Sequence, residues 1–307
     1  MLRHLRTVFD LDRDEILSLF DLAREMKKYP GRFGDSLKGR TLAMIFEKPS
    51  LRTRVTFQTG IFQLGGQGIY LAPSDIKIGK RETTQDIARN LSRWCDIVMF
   101  RTFAHKNIQE LAEGSSIPVI NALCDSYHPC QALADIFTLY ERRHDVHNLK
   151  LAYVGDGNNV LHSLINISAI LGIQLSYATP EGYEPKEDVL KLAQDYATQH
   201  NSGATFEATH VPAEAVKDAD AVYTDVWASM GQEDQAAARR KIFEPYQVNA
   251  ELMKHTKPGA WFMHCLPAHR GEEVTDEVVD AHYSVVFDQA ENRMHAQKAL
   301  MYMLIKR

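Results

Sequence analysis

The sequence predicts an α/β fold: two domains, each a mainly parallel sheet with helices on both faces. Three observations carry this. Short apolar runs alternate with longer amphipathic ones, the pattern of strand–helix units that build parallel sheets. The alternation restarts once, after the charged stretch Glu141-Arg142-Arg143-His144-Asp145-Val146-His147. A chain of 307 residues is also long enough for two domains. The expected division is residues 1–145, residues 146–289 and a terminal helix over 290–307.

The elements follow in order. Ile16, Leu17, Phe20, Ala23 and Met26 recur at helical spacing over Asp14–Tyr29, and Pro30-Gly31 ends that helix. Strands are expected at Thr41–Glu47, Gln67–Leu71, Asp96–Phe100 and Pro118–Asn121, with helices after Ser50, Glu82, His105 and Pro129. The second series gives strands at Lys150–Val154, Gln174–Ala178, Ala221–Tyr223, Ala260–Met263 and Val285–Phe287. Ala290–Lys306 reads as one long helix, whose destination the pattern does not give.

Composition narrows the function. The chain is 45% hydrophobic and 24% charged, as ordinary globular proteins are. A net charge of −5 argues against a nucleic-acid partner held by general electrostatics. No apolar run approaches the ~20 residues of a membrane span, and no signal peptide is expected in Met1–Asp10. Cys95, Cys124, Cys130 and Cys265 show no paired close spacing, which fits free thiols in a reducing cytoplasm.

The candidate chemistry clusters where strands end. Ser50-Leu51-Arg52-Thr53-Arg54 opens a helix behind a strand and Pro49. Unpaired N–H groups at a helix start attract anions, and the Arg52 fork matches a phosphate. The alternative is an N-cap beside solvated arginines. Arg101 follows a strand, where parallel sheets bind ligands, or is an ordinary strand-end arginine. His128-Pro129-Cys130-Gln131 opens another helix, where His128 can donate to a carbonyl oxygen; a metal on His128 and Cys130 is the weaker reading. Gly155-Asp156-Gly157-Asn158-Asn159-Val160 is half of a dinucleotide fingerprint. It lacks the third glycine and the later acidic residue, so a turn exposing Asn159 to a polar ligand reads better than a nicotinamide site. Asp225 could hold an amino group while Ser229 and Met230 offer backbone N–H to a carboxylate; a turn-forming Asp is the alternative. His264-Cys265-Leu266-Pro267-Ala268-His269 admits zinc, a Cys nucleophile, or a soft polar group for a substrate amine. Arg293 is surface or site.

The set and order of these motifs resemble the aspartate/ornithine carbamoyltransferase family over about Arg3–Arg293, and its ornithine-using branch most closely. Ser50-x-Arg52-Thr53-Arg54, Arg101-Thr102 and His128-Pro129-x-Gln131 carry the family resemblance. Asp225-x-x-x-Ser229-Met230-Gly231 and His264-Cys265-Leu266-Pro267 carry the branch, since aspartate-using members read His-Pro-Leu-Pro at the latter. The resemblance implies transfer of the carbamoyl group from carbamoyl phosphate to the side-chain amine of L-ornithine, giving L-citrulline and phosphate, as in arginine biosynthesis. Putrescine or N-acetylornithine is the alternative acceptor. It implies no cofactor and no metal, a cytoplasmic homotrimer or multiple of trimers with sites at subunit interfaces, and a last helix that packs back on the first domain.

The same resemblance implies residue roles. Ser50, Leu51, Arg52 and Thr53 hold the phosphate. Arg101, His128 and Thr53 donate to the carbamoyl oxygen, Gln131 meets the carbamoyl amide, and Pro129, Cys130 and Arg293 belong to the same subsite. Asn159, Asp225, Ser229 and Met230 fix the amino-acid end of ornithine, while Cys265 and Leu266 position the side-chain amine. Arg101, His128, Asp225 and Cys265 form the catalytic set. Two departures stand out. Leu51 occupies a position that is often Thr, which removes a hydroxyl. Lys77 falls where Gln is common, on a loop that can reach a neighbour's carbamoyl phosphate site; a solvated loop charge is its other reading.

Overall fold

The computed structural model describes residues 4–76, 78, 82–228, 231 and 233–306. The chain divides into two compact units, Met1–Phe137 with Glu291–Arg307, and Thr138–Ala290.

In the first unit, β1 (Thr41–Phe46), β2 (Gln67–Leu71), β3 (Ile97–Arg101) and β4 (Val119–Leu123) form a parallel sheet in the order β2-β1-β3-β4. β1 and β3 are buried along their whole length, which is why Leu42–Phe46 and Ile97–Phe100 read as unbroken apolar runs. Side chains alternate between faces. Ala43, Ile45, Val98 and Phe100 pack with Ile87, Leu91 and Leu111 of α3 (Thr84–Trp94) and α4 (His105–Gly114). Helices α1 (Arg13–Lys28), α2 (Leu51–Gln63) and α5 (Pro129–Arg143) complete the series. A capping box between Asp12 and Glu15 starts α1 one residue ahead of the expected Asp14.

The second unit holds β5 (Lys150–Val154), β6 (Gln174–Ala178), β7 (Thr205–Thr209), β8 (Ala221–Thr224) and β9 (Trp261–His264), all parallel, in the order β7-β6-β5-β8-β9. Helix α6 (Asn159–Leu171) is buried on all sides from Val160 onward, so its sequence is mostly apolar, with His162, Ser163, Asn166 and Ser168 buried among the aliphatic residues. Helices α7 (Glu187–Gln199), α8 (Ala236–Phe243) and α9 (Val286–Lys306) follow. Among the described residues no helix is long and apolar enough to cross a membrane.

Two expectations are corrected. Val285–Phe287 is not a strand. Val285 N–H meets Phe262 O at 3.0 Å, and Gln289 N–H then closes a helical turn on Val285 O at 2.8 Å. A three-residue apolar run does not distinguish strand from helix, and here it opens α9 before the expected Ala290. β7 was not foreseen, because Thr205-Phe206-Glu207-Ala208-Thr209 has a single large apolar residue. Among the described residues it pairs with β6 alone, at the edge of the sheet, so it needs no apolar run.

Candidate active site

In a doubly wound sheet, ligands bind beyond the carboxyl ends of strands, where the strand order reverses direction. Each sheet here has one such point. In the first unit it lies between β1 and β3, and in the second between β5 and β8. Ser50, Arg101, Asn159 and Asp225 stand at or just beyond the ends of those strands, while His128 and Cys265 follow the neighbouring β4 and β9, and Arg293 lies on α9.

After β1, Ser50 is the extended N-cap of α2, and its Oγ accepts from Thr53 N–H at 3.3 Å. Leu51 is 75% exposed, Arg52 half-buried and Thr53 buried. Arg54 instead lies over the Tyr70 ring, 3.8 Å from its centroid. Arg101 is the last residue of β3 rather than the first beyond it, and is buried at an irregularity in the pairing with β4. Beneath this junction Lys48 is buried, paired with Asp125 and stacked over Phe103, while Glu47 accepts from Thr102 Oγ1. Neither Glu47 nor Lys48 was singled out from sequence.

Pro129 is the first residue of α5, and His128 just before it is buried; its carbonyl accepts from Gln131 N–H at 3.0 Å. Burial, then Arg293 and Arg101, hold the His128 imidazole well below its ordinary pKa. The ring is therefore neutral at pH 7 and donates through one nitrogen only. Cys130 faces inward, its Sγ on Asn121 O at 3.5 Å, and burial pushes its thiol up to about 12. It is no thiolate, so only its backbone is left to offer a ligand. Arg293, 3% exposed on α9, donates to Gln131 Oε1 at 2.6 Å and Thr53 Oγ1 at 3.3 Å. The structure thus brings Thr53, Gln131 and Arg293 together. Lys77 lies outside the described residues.

In the second unit, Asn158 caps α6, accepting from Val160 N–H at 2.9 Å and Leu161 N–H at 3.2 Å. Its Nδ2 donates to Asp225 Oδ2 at 2.7 Å. Asn159 is the half-buried first residue of that helix. Asp225 Oδ1 accepts from Cys265 Sγ at 2.9 Å and from Val226 N–H at 2.8 Å. The result is a buried carboxylate flanked by an amide and a thiol. Ser229 and Met230 lie outside the described residues.

The loop after β9 is held by the ring of His264. Leu266 N–H donates to Nδ1 at 2.8 Å, so Nε2 carries the proton toward Glu273 Oε1 at 3.1 Å. This bond holds Leu266 at φ 57, a left-handed conformation for a branched residue, before the cis Leu266–Pro267 bond. Both His264 nitrogens are engaged. The Asp225, His264 and Cys265 donors lie within 4.8 Å of one another, but the ring has no lone pair left for zinc, and His269 groups instead with Glu272 and Glu273.

The Gly155/Gly157 signal also has a packing cause. A Cβ on Gly157 would lie 2.3 Å from the Glu184 carbonyl carbon, and Gly157 N–H donates to Tyr183 O at 2.8 Å. That N–H is not offered to a pyrophosphate. Arg239, also unforeseen, pairs with Asp156 at 3.1 Å and donates to Trp227 O at 2.6 Å. Burial nonetheless raises the Asp156 carboxyl to about 6, against the pull of Arg239.

This arrangement sets a capped helix start beside buried donors in one unit, and a buried carboxylate flanked by an amide and a thiol in the other. Residues 3–141 match the carbamoyl-P binding domain of aspartate/ornithine carbamoyltransferases, and residues 147–304 match their Asp/Orn binding domain. The chain belongs to the aspartate/ornithine carbamoyltransferase family. It is 55% identical over 298 residues to an ornithine carbamoyltransferase of Thermococcus kodakarensis, covering 96% of this chain and 94% of that one. To the anabolic ornithine carbamoyltransferase of Pyrococcus furiosus it is 52% identical over 305 residues, covering 99% and 96%. A solved structure of ornithine carbamoyltransferase from Pyrococcus furiosus superposes with a TM-score of 0.94 at 52% identity, covering 97% of this chain and 96% of that one.

Proposed function

We propose that the protein transfers the carbamoyl group of carbamoyl phosphate to the side-chain amine of L-ornithine, releasing L-citrulline and phosphate. The observation that carries the choice of acceptor is Asp225, whose carboxylate is held between Asn158 and Cys265. A buried acidic subsite suits an amine-bearing substrate and repels the second carboxylate of aspartate.

In this reading the start of α2, with Ser50, Leu51, Arg52 and Thr53, receives the phosphate. Arg101, His128 and Thr53 donate to the carbamoyl oxygen, which gains negative charge as the amine attacks; losing one such donor costs about 2.7–4 kcal/mol. Gln131 and Arg293 complete the carbamoyl subsite with the backbone of Pro129 and Cys130, and Lys77 joins them from a neighbouring subunit. Asn159, Asp225, Ser229 and Met230 take the amino-acid end of ornithine, and Cys265 with Leu266 aligns its side chain. A free alkyl amine has a pKa near ~10.4, so the site must select the neutral form; Asp225 and Cys265 are placed at that step. Residues 1–145 serve carbamoyl phosphate, 146–289 serve ornithine, and 290–307 return Arg293 to the first.

We place the reaction in arginine biosynthesis in the cytoplasm, consistent with four free cysteines. We also propose a homotrimer or multiple of trimers. Exposed Leu51, Val55, Phe62 and Ile69 on α2 and the edge strand β2 supply apolar surface for it. Incubation with carbamoyl phosphate and ornithine, putrescine or N-acetylornithine in turn tests the activity. Citrulline formation is expected; carbamoylation of another amine with ornithine inert rejects the assignment. Light scattering at working concentration tests the trimer.

A further inference from the structure

Gln131 sits between two buried ionic groups of opposite kind. Its Nε2 donates to Asp135 Oδ1 at 2.7 Å, four residues along α5, and its Oε1 accepts from Arg293 Nη1 at 2.6 Å. Asp135 is 0% exposed and Arg293 3%. An ionised carboxylate only accepts and a guanidinium only donates. Each therefore demands the same orientation of the amide, and together they admit one.

Arg293 also donates to Thr53 Oγ1 at 3.3 Å and, with the Gln297 amide turned to satisfy every partner, to Gln297 at 3.1 Å. A charge taken out of water needs compensation. The negative charge of Asp135 reaches Arg293 through the aligned amide dipole of Gln131. Thr53 lies in the first turn of α2, so the chain Asp135–Gln131–Arg293–Thr53 runs from the middle of one helix to the anion-binding start of another.

We propose that Asp135 is a positioning residue that fixes the Gln131 amide, and with it Arg293, so that Gln131 Oε1 faces the carbamoyl NH2 and selects carbamoyl phosphate over an acyl phosphate lacking that group. This rests on the carbamoyl-transfer reading above. The selectivity is chemical: an acceptor oxygen rewards an NH2 and gains nothing from the methyl of acetyl phosphate. Asp135 itself touches no substrate; it determines which end of Gln131 does.

The test compares Asp135→Asn with Asp135→Glu. Asn conserves volume but can donate as well as accept, so the charged acceptor that holds Gln131 Nε2 is lost and Arg293 alone orients the amide. Glu keeps an acceptor-only carboxylate at the cost of one extra methylene. A packing role ranks Asn above Glu, and a positioning role ranks Glu above Asn. In Asp135→Asn the KM for carbamoyl phosphate is expected to rise roughly tenfold to a hundredfold, the range for losing a hydrogen bond to a charged group. Competitive inhibition by inorganic phosphate, which contacts the cradle alone, should stay within about threefold, and the preference over acetyl phosphate as inhibitor should shrink. Asp135→Glu should recover part of the loss. Wild-type kinetics in Asp135→Asn, or equal weakening of phosphate and carbamoyl phosphate, overturns the proposal. If Asp135→Asn does not fold, Asp135→Glu decides it: loss of carbamoyl phosphate discrimination as complete as in Gln131→Met overturns it, and retained discrimination supports it. Wild-type enzyme that makes no citrulline would instead reject the underlying activity, so the two failures are distinguishable.

Discussion

Cys265 shows what a single side chain contributes. Its thiol is a weak donor, yet it occupies one oxygen of a buried carboxylate whose other oxygen is already held by Asn158. Cys265→Ala leaves Asp225 in place and removes one of its partners. The KM for ornithine is expected to rise about tenfold, the scale of a lost hydrogen bond to a charged group, with the KM for carbamoyl phosphate unchanged within about twofold. Steady-state kinetics with each substrate varied checks this, and a matching rise in both constants would sink it. Ser50, Thr53, His128, Gln131, Asp225 and Cys265 stand out as candidates in the sequence because they fall in the loops and first helical turns that follow strands. Asp135, Asn158, Arg239 and Glu273 do not. Asn158, Arg239 and Glu273 are ordinary polar residues until a partner from another loop or helix arrives: Asn158 meets Asp225, Arg239 meets Asp156, and Glu273 meets His264. Asp135 does stand at helical spacing from Gln131, but that spacing alone is common on any polar helix face.

At the scale of elements, the central strands were readable because burial on both faces requires continuous apolar runs. The edge strand β7 was not, since one large apolar residue suffices there. The start of α9 was misread because Val285–Phe287 has strand-like residues but makes only a brief contact with β9. Two helix starts now carry predictions. The Ser50 cap bond is long at 3.3 Å, so Ser50→Ala should cost about 0.5–1 kcal/mol, the lower part of the N-cap range. Urea unfolding measures that cost, and a raised KM for carbamoyl phosphate should accompany it; an unchanged KM would detach the cap from the anion site. Gly157 answers to backbone neighbours, not to a flexible side chain. With Glu184 C at 2.3 Å and Pro185 N at 2.4 Å from an added Cβ, Gly157→Ala should destabilise by on the order of 1–3 kcal/mol. It should also displace Asn158 and raise the KM for ornithine. A stable variant with normal kinetics would contradict the packing account.

Over the whole molecule, buried titratable groups couple the fold to pH. Burial lowers the pKa of His128 well below 6.5, and lowers His4 and His295 too. The unfolded chain takes up protons on these rings near pH 6.5 while the folded chain resists. Their stabilisation is therefore complete above the unfolded value and is lost as pH falls toward the folded one. Asp156 acts in the opposite sense. Its folded pKa is raised to about 6 from 3.8, so its contribution is complete below the unfolded value and is lost as pH rises through about 6. Three imidazoles against one carboxyl give a net direction: thermal stability should fall between pH 7.5 and 5.5. His128→Asn, which removes the most deeply buried of the three rings, should flatten that slope, and Asp156→Asn should steepen it. Calorimetric melting temperatures across the interval separate the two variants. Equal slopes in wild type and His128→Asn would mean that the ring takes up a proton as readily folded as unfolded. Burial beside Arg293 and Arg101 would then not depress it, and the charge balance of the first unit would have to be assigned afresh.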